Sequence, residues 1–112
     1  MSNKPAFLNY LYHYAHKALE PLSAMLAENV ALRDWKISVS GRAAVEAETA
    51  RNFSAARTIE IEVLGLLEDG DTVAGELRIV VDGETELHVV DVIAFDAAGK
   101  IKAIRAYLGR GS

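Results

Sequence analysis

Cysteine is absent from all 112 residues. Its absence excludes disulfide staples, cysteine-ligated zinc, iron–sulfur clusters and a thiol nucleophile. Basic runs are missing too: the 12 Lys and Arg are scattered and outnumbered by 16 Asp and Glu, for a net charge of -4 and a pI near 5.3. Capture of a nucleic-acid backbone or an anionic membrane is thereby set aside. No apolar run approaches the ~18 residues that span a bilayer, and Met1 to Phe7 lacks the apolar core of a secretory signal, so a cytoplasmic location is expected. A Gly-rich phosphate loop, a GxSxG elbow, internal repeats and low-complexity tracts are likewise missing.

What is present is 51% hydrophobic residues in a chain of single-domain length. Such a chain buries about two-thirds of its unfolded surface, enough for one core and a ligand-sized hollow. We expect one domain over 1–112, with 109–112 as a flexible tail. After Pro5, the residues Phe7, Tyr10, Leu11, Tyr14, Ala15 and Ala18 recur at helical spacing. Glu20-Pro21 breaks the pattern, and a short second helix turns Leu22, Met25 and Leu26 inward. From Asn29 to Trp35 the period becomes two, with Val30, Leu32 and Asp34 on one face. Ser40-Gly41 opens a third helix ending near Ala55, with Ala43, Ala44, Ala47, Ala50 and Phe53 as its apolar stripe. Four strand-like runs follow, 57–67, 72–81, 84–95 and 100–108, joined by short Gly-bearing links that signal an antiparallel meander. Helices first and strands afterwards give an α+β domain with three helices packed on one side of a bent sheet.

The run 84–95 is the most informative. Leu87, Val89, Asp91, Ile93 and Phe95 share a face on which Asp91 is the only polar side chain. Burial raises the pKa of such a carboxyl, so Asp91 is expected neutral at pH 7. The alternative is a structural aspartate bonded to an amide or a tyrosine. The opposite face, His88, Val90, Val92 and Ala94, is also mostly apolar and calls for a second subunit, so we expect a homodimer through the sheet with His88 in the contact. Asp34 shares the inward parity of Val30 and Leu32, or else caps the loop beyond its strand. Tyr10 and Tyr14 lie on one helical face, where either hydroxyl could enter the space beneath or simply be solvated. His13 and His16 lack a third ligand at suitable spacing, so no metal is expected.

The stretch VVDVIAFDAAGKIKAIRAYLG, residues 89–109, resembles the last two strands of the nuclear-transport-factor-2-like superfamily, which includes ketosteroid isomerases and SnoaL-like polyketide cyclases. VALRDWKISVSGRAAV is similar to the corresponding upstream segment, so the likeness covers nearly the whole chain. It implies a conical domain in which a bent antiparallel sheet wraps around the N-terminal helix and leaves an apolar cavity open at one end. For the ketosteroid isomerases the resemblance implies a general base at Asp34, a protonated donor at Asp91 and an oxyanion tyrosine at Tyr10. The implied activity is a cofactor-independent, isomerase-like proton abstraction α to the carbonyl of a small apolar compound. A polyketide cyclase and a non-catalytic small-molecule-binding dimer are the alternatives. Substrate contacts are expected from Tyr14, Trp35, Gly75, Leu77, Val89 and Ile93, with Gly75 leaving room for ligand. The loop after Asp34 is shorter than in those isomerases, and it brings Trp35 and Lys36 to the mouth.

Overall fold

Three segments with helical periodicity and five with strand-like patterning follow the order expected of them, and a sixth strand of three residues, Ser38–Ser40, joins them without a period to announce it. The computed structural model describes residues 2–110 and contains α1 (Lys4–Ala15), α2 (Leu19–Ala24), β1 (Leu26–Arg33), β2 (Ser38–Ser40), α3 (Arg42–Ala55), β3 (Ile59–Asp69), β4 (Thr72–Val81), β5 (Thr85–Phe95) and β6 (Ile101–Gly109). Pro5 occupies the first turn of α1, where its missing N–H costs nothing. The helix stops at Lys17, which adopts a left-handed backbone (φ 54°), and not at Glu20-Pro21 as the sequence suggested. Pro21 instead sits in the first turn of α2, the one part of a helix that tolerates it. Leu26, expected inward on the second helix, already belongs to β1: the Ile101 amide donates to Met25 O at 2.8 Å and draws the chain onto the sheet.

The six strands form one curved, open α+β sheet in the order β2-β1-β6-β5-β4-β3. The β3–β6 meander is antiparallel throughout, as the short turns require, but β1 runs parallel to β6. Local turn chemistry fixes only the direction of hairpin neighbours, and this pair is joined through most of the chain. β3 carries a bulge between Val63 and Gly65, so Ile61 pairs with Ile79 before it and Leu66 with Gly75 after it. One extra residue reverses the strand's inward parity and bends it. Gly109, expected in a tail, closes β6 opposite His88, while residues 111–112 of that expected tail lie outside the described residues.

The core lies between the sheet's inner face and the helices. Phe7, Leu22, Val30, Leu77, Ile93 and Phe95 are essentially inaccessible. On α3 the buried stripe is Val45, Thr49 and Phe53, a strict i,i+4 row, and Ala43 and Ala47 of the expected alanine stripe face solvent. The alanines gather on one arc of that helix, and the core takes instead the adjoining row of larger side chains, so alanine content did not mark the buried face. No helix among the described residues is long and apolar enough to cross a membrane.

Candidate active site

The packed core stops short of one end of the cone, leaving a cavity of about 360 Å³ between α1, α3 and the inner face of the sheet. It is lined mostly by apolar side chains, with Tyr10, Tyr14, Asp34, Lys36, Asn52 and Asp91 as the principal polar groups. Helical spacing puts Tyr10 and Tyr14 on one face of α1, their ring centroids 6.0 Å apart. Strand alternation brings Asp91 to the same space from β5, with Leu87 and Val89. Its cross-strand neighbours are Gly75 and Ala106, two of the smallest side chains available. Ala106 lines the cavity and keeps the space beside the carboxyl open.

Asp91 and Tyr10 have no hydrogen-bond partner among the described residues, yet no unpartnered side-chain polar atom there is sealed from solvent. Both polar tips therefore open into the cavity. The apolar walls strip hydration from the Asp91 carboxyl and raise its pKa from the ordinary 3.8 to about 7. Burial likewise pushes the Tyr10 hydroxyl well above its ordinary value, with neighbouring Tyr14 and Asp91 adding to the effect. Tyr14 is raised by burial, partly opposed by the hydrogen bond its hydroxyl accepts from Asn52 Nδ2 at 3.1 Å. Both phenols thus stay protonated, as hydrogen-bond donors must.

Asp34 sits just past β1 and lines the cavity. Its Oδ1 accepts the backbone amides of Lys36 (2.7 Å) and Ile37 (2.9 Å), while Oδ2 has no partner among the described residues. Oδ1 thus acts as a loop cap, and the residue lines the cavity as well. Arg42 does not reach Asp34; it is engaged with Ser23, Glu28 and Glu46. Trp35 and Lys36 line the cavity from the same loop, and Trp35 is 43% exposed.

The structure thus gathers Tyr10, Tyr14, Asp34, Trp35, Val89 and Asp91 around one cavity. Gly75, Leu77 and Ile93 stand elsewhere. Leu77 and Ile93 are fully buried in the core. A Cβ on Gly75 would lie 2.5 Å from Cζ of Phe7, so this glycine seats the Phe7 ring and leaves no room for a ligand. All three have the inward parity expected of them, but they lie where α1 fills the cone. Asn52 and Thr49 of α3 complete the lining and had no signal in the sequence, where a polar residue on a helix reads as solvated. Among the described residues no three His, Asp or Glu gather to hold a metal; His16 bonds the Tyr12 carbonyl and His88 pairs with Glu86 on the sheet.

A family model described as the SnoaL-like domain matches residues 7–104. Comparison with curated proteins returns no match. Among solved structures, the epoxide hydrolase/cyclase-like enzyme SalBIII, whose role is in pyran ring formation in the polyether salinomycin, superposes with a TM-score of 0.83 at 24% identity, covering 96% of this chain and 90% of that one. A provisionally assigned ketosteroid isomerase from Kribbella flavida gives 0.82 at 19% identity over 98% and 79% of the two chains. A protein of unknown function from Cytophaga hutchinsonii, described as NTF2-like, gives 0.81 at 13% identity over 97% and 91%. At these identities the likeness concerns the fold.

Proposed function

This chain belongs to the SnoaL-like domain family, and from that premise we propose that it is a cofactor-independent acid–base enzyme acting on a small apolar carbonyl compound. Asp34 Oδ2 takes the proton α to the carbonyl. Tyr10 and protonated Asp91 donate hydrogen bonds to the carbonyl oxygen as negative charge collects on it. The base then returns the proton to another carbon of the enolate, or exchanges it with water and delivers a solvent proton back to the α carbon. A cyclase that closes a ring by an intramolecular aldol step would use the same base and the same donors. The observation that carries the reading is that the Tyr10 hydroxyl and the Asp91 carboxyl, both free of protein partners among the described residues, open into one apolar cavity that Asp34 also lines.

Deuterium exchange at the α carbon of small cyclic enones, followed by proton NMR in heavy water, tests it. Asp34→Asn should slow exchange by about 10²–10⁴, the usual contribution of a positioned base. Exchange at the wild-type rate in that variant would remove Asp34 from the reaction.

One observation favours a second reading, a binding module that holds its ligand unchanged. Asp34 Oδ1 already serves two backbone amides, as a loop cap does. Enones that bind in the cavity without exchanging their α protons would select this reading. Either way we propose that a second copy covers the outer sheet face, where Val90 and Tyr107 are 38% and 47% exposed beside Val92.

A further inference from the structure

The cavity contains a hydrogen-bonding point that proton abstraction leaves unused. Tyr14 stands one helical turn beyond Tyr10, its ring set edge-on against Phe53 of α3 with centroids 5.0 Å apart. Its hydroxyl accepts the Asn52 Nδ2 amide at 3.1 Å. A phenol has one proton to give and two lone pairs to accept with. With the amide on a lone pair, the Tyr14 proton has no acceptor among the described residues, and both side chains line the cavity. Asn52 holds the Tyr14 tip toward α3, whereas the donors assigned to the carbonyl oxygen come from β5 and from one turn earlier on α1. A ligand whose single oxygen engages Tyr10 and Asp91 and whose apolar body covers Tyr14 would strip water from that hydroxyl without replacing its hydrogen bond, and sites with built-in hydrogen-bond donors discriminate against ligands that leave them unpaired.

We infer that the Tyr14–Asn52 pair is a second oxygen-binding point, so that the cavity takes apolar ligands bearing two oxygen functions, one at Tyr10 and Asp91 and the other at Tyr14. The inference rests on the donor role proposed for Tyr10 and Asp91, and it is independent of proton abstraction by Asp34. Asn52 is a positioning residue in this scheme. Its amide leaves the phenol proton free, whereas a carboxylate at position 52 would accept that proton and withdraw the donor from the cavity.

Fluorescence titration with 2-naphthol and with naphthalene diols carrying the second hydroxyl at position 3, 6 or 7 tests this in the full chain. At least one diol should bind about fivefold or more tightly than 2-naphthol, the value of one added hydrogen bond. That gain should vanish in Tyr14→Phe and in the isosteric Asn52→Asp, while 2-naphthol, which leaves the Tyr14 proton unpaired, should bind Tyr14→Phe no more weakly than wild type. Tyr10→Phe should weaken 2-naphthol and the diols alike and keep the gain. Circular dichroism melts establish that each variant is folded. Absence of any diol gain, or its persistence in Tyr14→Phe, overturns the second point while leaving the Asp34 reaction standing. Failure of 2-naphthol to bind at all overturns the cavity reading and this inference together.

Discussion

Replacing Asp91 by asparagine should alter the pH dependence of stability in a way that isolates one carboxyl. In the folded chain that group holds its proton up to about pH 7, whereas in the unfolded chain it releases it near 3.8. Between those two values the unfolded state binds fewer protons, so wild-type stability falls as pH rises from about 4 to about 7 and is level above that. At 1.36 kcal/mol per pH unit the full interval corresponds to about 4 kcal/mol, and water entering by the cavity mouth lowers this toward about 2. The amide in Asp91→Asn has no proton to lose, so the stability of that variant relative to wild type should climb by that amount over the same interval. Urea unfolding followed by far-ultraviolet circular dichroism at half-unit steps from pH 4 to 8 measures it. With an m-value near 2 kcal/mol/M, the difference between the two midpoints should widen by about 1–2 M. A difference that stays flat across this range would mean that Asp91 is an ordinary hydrated carboxylate, and its role as a neutral donor would fall with it.

Two further outcomes follow from packing. Gly75→Ala should destabilise the chain by about 1–3 kcal/mol, because its methyl group overlaps the buried Phe7 ring, and Phe7→Leu in the same chain should recover part of the loss in thermal melts; a neutral Gly75→Ala would mean that the ring does not sit there. Sedimentation equilibrium should return twice the 12.1 kDa chain mass, and Val90→Asp should halve it; a wild-type monomer at tens of micromolar would refute the proposed pairing through the sheet.

The parts of the site that the sequence made legible are those governed by a local period. Alternation along β5 turned Asp91 inward, and the i,i+4 spacing put Tyr10 beside Tyr14. Alternation names a face, however, and not a position along the strand. Gly75 and Leu77 accordingly pointed inward as expected, yet at the end of the cone that α1 fills. The Ser38–Ser40 strand is too short to show a period, and the parallel pairing of β1 with β6 joins segments with no turn between them. Asn52 was invisible for a different reason: its partner is a tyrosine 38 residues away, and only the packing of α3 against α1 brings them together.

The bulge in β3 has a meaning beyond curvature. This strand forms one margin of the open sheet, where Leu64 and Leu67 are 47% and 76% exposed. A long greasy margin of this kind invites another chain to add itself and start a fibre. Here the newcomer would meet exposed Glu60 and Glu62 on the approach and then a break in register at Val63 that no straight ribbon can follow. The same kink that shapes the molecule thus protects it from runaway stacking, and its loss would shorten the protein's life in concentrated solution even where its melting point was unchanged.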